Sequence, residues 1–140
     1  MTSLTQIITS HVVPEQERIS FVDKLLGIKY VLVFEPAVFR FAETLAHEYK
    51  GAYWTFHTLG NGGFYMAPRS DTIFAVSCEN GFDGQLSADG LGIVACMYAF
   101  SHLSFVEQGV FVETCANQHH LLRAFIMEHA EARAMLQAID

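Results

Sequence analysis

Tyr53-Trp-Thr-Phe-His-Thr-Leu59, Gly60-Asn-Gly-Gly63 and Phe64-Tyr-Met-Ala67 follow one another without a break. The first and third pieces are aromatic and β-branched, as strand residues are. The piece between them is rich in residues that tolerate positive φ, as a tight turn requires. The run therefore predicts an antiparallel hairpin, with Pro68 limiting its second strand. Thr72-Ile-Phe-Ala-Val-Ser-Cys78 reads as a third strand, and the simplest arrangement of the three is a meander. Trp54 and Phe56 would share one face, and Phe74, Val76 and Cys78 another.

Helical patterns flank this centre. Upstream, Leu4 to Val13 is apolar and β-branched, so residues 1–12 read as a short strand or an arm. Pro14 suits a helix start, with Glu15 and Glu17 favourable near its positive end. Ile19, Val22, Leu25 and Leu26 recur at helical spacing, and Gly27 is a natural stop. A second helix opens at Glu35-Pro36 and runs to about Tyr49, with Val38, Phe41, Ala42 and Leu45 as its stripe. Downstream, Glu79 to Gly84 reads as a polar loop. Ser87 is placed to cap a long apolar helix through Ile93, Met97, Phe100 and Leu103, and Asp89 suits its dipole. A further helix covers about Phe111 to His129, and a short one Glu131 to Ile139. Helices around a meander, rather than alternating with strands, predict an α+β fold: about three strands and four to five helices in one domain spanning 1–140.

Composition narrows the function. Charged residues are 16% of the chain and apolar ones 51%, which excludes disorder. Eight Lys+Arg against 15 Asp+Glu leave a net charge of −7, and the three lysines are scattered. Direct nucleic-acid binding and a basic membrane-surface helix are not expected. Leu91 to Val106 carries no charge, but Ser101, His102 and Ser104 make it a core helix rather than a membrane span. Three widely spaced cysteines and the absence of a basic, apolar leader predict a cytoplasmic protein.

Seven histidines raise the question of metal or catalysis. Glu43 and His47 stand four apart without a third ligand, so a solvated pair is expected. His119 and His120 diverge by roughly 100°, one toward solvent and one packed. His102 reads as a core or interface histidine. His57, beside Trp54 and Phe56, is the best placed to line a groove but reads as cross-strand packing. No nucleophile elbow is present, and Cys96 falls in the apolar helix, where a thiolate is disfavoured. Gly60-Asn-Gly-Gly63 lacks the Lys-Ser/Thr of a phosphate loop. No metal, cofactor or catalytic residue is expected.

Several stretches resemble the ArdB/KlcA antirestriction family. They are Gly51-Ala-Tyr-Trp-Thr-Phe56, Leu59, Asn61-Gly-Gly-Phe-Tyr-Met-Ala-Pro68, Ser87-Ala-Asp-Gly-Leu-Gly-Ile-Val-Ala95 and Ala138-Ile-Asp140. Val13-Pro14 with Arg18, Phe21 and Gly27 resembles the family's N-terminal segment. Ala52, Gly90 and Ala130 depart from its usual Gly, Ala and Pro. The resemblance implies a mobile-element protein that relieves host type I restriction by interfering with the restriction complex, without catalysis. Partner-contacting candidates from these motifs are Tyr53, Asn61, Tyr65, Arg69, Ser87 and Asp89. DNA mimicry is the first alternative, with Glu107, Glu113, Glu128 and Glu131 on one edge. Fifteen acids diluted by eight bases cannot reproduce one charge per 1.7 Å over much of the surface. A His-dependent enzyme or metal protein, using His57, His102 or Glu43 with His47, is the other. Phe105, Val106, Val110, Phe111 and Val112 form a stretch suited to self-association.

Overall fold

The computed structural model describes residues 7–140, so the part of the N-terminal arm before Ile7 lies outside the described residues. The element order is β1 (Ser10–Val12), a 3-10 turn (Glu15–Glu17), α1 (Arg18–Leu26), a π-helical turn (Tyr30–Phe34), α2 (Glu35–Leu45), β2 (Trp54–Leu59), β3 (Phe64–Pro68), β4 (Ile73–Ser77), β5 (Asp83–Ser87), α3 (Ala88–Val106), α4 (Val110–Ile126) and α5 (Ala132–Ile139).

The hairpin forms as its sequence predicts. β2 and β3 pair antiparallel with His57 opposite Tyr65 and Phe56 opposite Met66. Asn61 fastens the turn: its Oδ1 accepts the Gly63 amide at 2.9 Å, and its Nδ2 donates to the Leu121 carbonyl of α4 at 2.9 Å. Gly62 takes a φ of 93°, which L side chains rarely adopt.

The third strand of this sheet is not the one expected. β1 occupies the far side of β2, giving the order β1-β2-β3, while β4 pairs with β5 in a separate two-stranded sheet. The reason lies at the outer edge of β3. The Phe64 amide donates to Oε1 of Gln118 on α4 (3.2 Å). The Met66 amide donates to the Cys96 thiol of α3 at 3.5 Å, and that thiol reaches the Met66 carbonyl at 3.5 Å. Helices therefore fill the edge that a third meander strand would need. β4 meets Asp83–Ser87 instead, a segment whose polar residues hide its strand character; only Leu86 of β5 is buried.

α3 is the axis of the core. It packs against β3, α2, α4 and α5, and twelve of its 19 residues are buried. Its length and hydropathy would suffice for a membrane span, but the helix lies inside the protein. A Cβ on Gly92 would lie 2.4 Å from Ala67 Cα and 2.6 Å from the Met66 carbonyl, so helix and strand meet backbone to backbone. Phe34, Phe64 and Phe100 meet where the π-helical turn, β3 and α3 converge: Phe34 stacks on Phe100 with centroids 4.7 Å apart, and Phe64 stands edge-on to Phe100.

The C-terminal motif is tied in from three sides. Tyr98 of α3 donates to the Ala138 carbonyl at 2.7 Å, Asn80 reaches the Gln137 and Ala138 carbonyls, and Arg123 forks onto Asp140.

Gly92→Ala should destabilise the fold by about 1–3 kcal/mol or more, because the added methyl meets main chain that cannot rotate away. Urea denaturation at constant m-value measures it; a midpoint equal to wild type would refute the close approach.

Candidate functional site

Three of the six candidates from the sequence converge on the N-terminus of α3. Ser87 is its N-cap, accepting the Gly90 amide at 3.0 Å. Asp89 stands in the first turn and accepts from two sides. The Tyr65 hydroxyl donates to Oδ1 at 2.7 Å, and Nε2 of His129 lies 2.8 Å from Oδ2. The other His129 nitrogen, Nδ1, accepts the Glu131 amide at 3.0 Å, so the proton resides on Nε2 and points at Asp89. The Glu131 carboxylate turns back to accept both the amide and the hydroxyl of Ser87. Gly90 leaves room for this, since a Cβ there would stand 3.0 Å from Glu131 Oε1.

Tyr65 is the bridge from this cluster to the sheet. It is 2% exposed, stacks face to face on His57 (centroids 4.5 Å apart, planes within 1°) and packs on Phe125 at 5.8 Å. His57 lies 2.9 Å from the Thr55 hydroxyl. Burial pushes the Tyr65 phenol up, and the Asp89 charge adds to it. Burial alone would push the Asp89 carboxyl up as well. Hydrogen bonds from His129 and Tyr65 outweigh it and hold the carboxyl below its usual value. Burial also lowers His57, against the pull of Asp89 and with a smaller push from Arg18.

This arrangement ties its polar groups to one another. Asp89 is occupied at both oxygens, and both His129 nitrogens are engaged. Asn61 is committed to the hairpin turn and α4. Tyr53 and Arg69 differ: both are exposed, linked by the Arg69 amide donating to the Tyr53 carbonyl at 2.7 Å. Glu43 and His47 are both exposed, with His47 beyond the end of α2. No group of three potential metal ligands occurs among the described residues. His119 is half-buried and His120 exposed.

The sequence reading passed over His129 and Glu131 as partners of Asp89 and Ser87. They stand 40 and 44 positions away, beyond any local spacing rule. Arg18 was singled out only through the family resemblance. At the start of α1 its guanidinium lies 4.8 Å from the Tyr53 ring centroid and 5.0 Å from that of Phe56.

Tyr65→Phe removes one donor from a half-buried carboxylate and should destabilise by about 1.5–3 kcal/mol, read as a lower urea midpoint. An unchanged midpoint would mean that the bond contributes nothing net. The lowered His57 has a defined pH signature. Folded and unfolded rings are both neutral at pH 7 and above, so no stability is lost there. As pH falls below the ordinary value of 6.5, the unfolded chain takes up the proton first, and stability declines toward pH 5. His119, lowered chiefly by burial, acts in the same sense. The Asp89 contribution is lost only in more acidic solution, below the ordinary 3.8. His57→Phe, which keeps the stack, should therefore flatten but not abolish the slope between pH 7 and 5. Equal slopes in the two proteins would contradict the assignment.

Comparison with known proteins gives the family. The family model described as Antirestriction protein matches residues 47–140, from the approach to β2 through α5. An antirestriction protein KlcA of Escherichia coli is 35% identical over the full length of both chains. A second KlcA from the same species is 39% identical over 132 residues, covering 91% of this chain and 90% of its own. A solved structure superposes with a TM-score of 0.89 at 34% identity over all of both chains. It comes from work describing KlcA and ArdB proteins as a novel fold with antirestriction activity against type I DNA restriction systems in vivo but not in vitro. By the family match and by these full-length relatives, the chain belongs to the antirestriction protein family.

Proposed function

We propose that this protein relieves type I restriction of incoming DNA by interfering with the host restriction–modification complex, directly or through another cellular component, by means of a protein surface and without catalysis. The observation that carries the reading is the full-length likeness to the KlcA and ArdB structure. No cofactor is invoked. Activity reported for those relatives in cells but not in vitro favours action that needs a cellular component. Three free cysteines, two of them buried, suit the cytoplasm, where the restriction complex meets DNA.

Of the six candidate residues, Tyr53 and Arg69 would contact the partner. Asn61, Tyr65, Ser87 and Asp89 would hold that surface in shape. A DNA-mimic mechanism is disfavoured by where the acids go. Glu107 pairs with Lys29 at 2.7 Å, Glu128 accepts the Ile8 amide at 2.7 Å, and Glu131 turns inward to Ser87. Self-association would use Phe105, Val106 and Val110, which are exposed. Phe111, grouped with them in the sequence, turns inward beneath Lys29, and Val112 is half-buried.

Expression of the protein should raise the plating of unmodified phage on a host with a type I system and leave plating on a restriction-deficient host unchanged. Tyr53→Ala combined with Arg69→Ala should reduce that rise while the unfolding free energy in urea falls by no more than about 1 kcal/mol, the loss of the exposed ring beside Arg18 included. No rise with soluble wild-type protein would sink the reading.

A further inference from the structure

A cleft of about 380 Å³ opens between α1, the π-helical turn and the start of β2, on the surface that carries Tyr53. Arg18 and Glu35 both line it, yet they make no ion pair with each other; the ion pairs among the described residues are Lys29–Glu107, Arg123–Asp140 and His129–Asp89. Glu35 instead accepts the Tyr30 hydroxyl at 3.0 Å. The Arg18 guanidinium lies against the Tyr53 and Phe56 rings, and its Nε is buried without a hydrogen-bond partner among the described residues.

Aromatic faces attract the charge of a guanidinium but leave its in-plane donors unmet. A buried N–H without an acceptor is unfavourable, and this one has a planar fork around it that matches a carboxylate in two parallel bonds. The rim is apolar. Ile19 is 83% exposed although it lies on the same face of α1 as buried Leu26, and Val31 is 62% exposed on the π-helical turn. The apolar stripe of α1 thus runs on past its buried end and reaches the rim of the cleft. π-helical turns occur often at functional sites.

We infer that this cleft binds an acidic side chain, Asp or Glu, carried between apolar residues on a partner protein. The carboxylate meets the Arg18 fork, and its apolar neighbours cover Ile19 and Val31. Charge decides between this and a phosphate-bearing partner. One cation supplies the two parallel bonds of a single carboxylate but cannot neutralise a polyanion, and the Glu35 carboxylate in the same cleft and the net charge of −7 oppose each further negative charge. The inference gives the partner of the proposed function its chemistry. It rests on that reading for where such a segment is met, not for what the cleft binds.

Trp54, the chain's single tryptophan, lines the cleft and reports on it. The ¹⁵N-labelled protein would be titrated with the blocked peptide acetyl-Leu-Glu-Leu-amide and, separately, with its Gln counterpart and with inorganic phosphate, following the Trp54 indole N–H. The Glu peptide should shift that resonance saturably. The Gln peptide should bind at least roughly tenfold more weakly, as expected for loss of a charge-assisted pair. Arg18→Gln should erase the difference. Should Arg18→Gln not fold, Val31→Asp at the exposed rim serves instead: it should weaken both peptides, and the Glu peptide by the larger factor.

Equal binding of the two peptides, no shift with either, tighter binding of phosphate, or indifference to Val31→Asp would overturn the inference. Phage plating on the same proteins separates the two readings. Glu-peptide binding without restriction relief would keep the cleft chemistry and end the antirestriction reading. Relief with indistinguishable peptides would do the reverse.

Discussion

The architecture depends on how the outer edge of β3 is closed. A strand with one unpaired edge presents amides and carbonyls that would recruit another strand. Here the edge meets side chains instead: the Cys96 thiol serves Met66 on both its amide and its carbonyl, and Gln118 serves Phe64. Gln118 is the one buried polar residue of the described core, and its Nε2 also donates to the Gly62 carbonyl at 3.3 Å. Burial pushes the Cys96 thiol up to about 12, so it stays protonated and able to donate. These contacts require α3 to lie on the strand itself, which Gly92 permits.

Two consequences of that closure reach the candidate site. First, α3 is placed so that its capped N-terminus stands beside Tyr65, and the turn between α4 and α5 can deliver His129 and Glu131 to it. Second, the opposite face of the hairpin is left to α1 and the π-helical turn, where the cover is incomplete and Arg18 faces a cleft. The first region is rich in polar groups that are paired with one another. The second has few polar groups and an unmet donor.

What could be read from the sequence was what local spacing encodes. The β2–β3 hairpin, the Ser87 cap, the Gly27 stop and the apolar α3 each depend on residues a few positions apart. β5 escaped notice because its strand state comes from pairing with β4, not from its own Asp-Gly-Gln-Leu-Ser composition. The meander was the natural expectation for three consecutive strands, but it left no partner for Ser10–Val12 and did not foresee helices closing β3. Of the site, Ser87 and Asp89 were legible as cap and dipole residues. Tyr65 was legible only as an aromatic in a motif, because burial is a property of the whole fold. The spacing of Ile19, Val22, Leu25 and Leu26 marked the helix, but which of them are buried depends on what the fold lays over it: Val22 and Leu26 are covered and Ile19 is not.

Edge closure also sets an order of events during synthesis. The Phe64 amide waits for a side chain 54 residues further along the chain, and Met66 for one 30 residues on. At about 5–20 residues per second, a ribosome takes roughly 3–10 s to bridge the longer gap. Until then a β2–β3 hairpin has an open edge, the condition under which strands pair between chains. Slow translation between Pro68 and Gln118 would lengthen that interval.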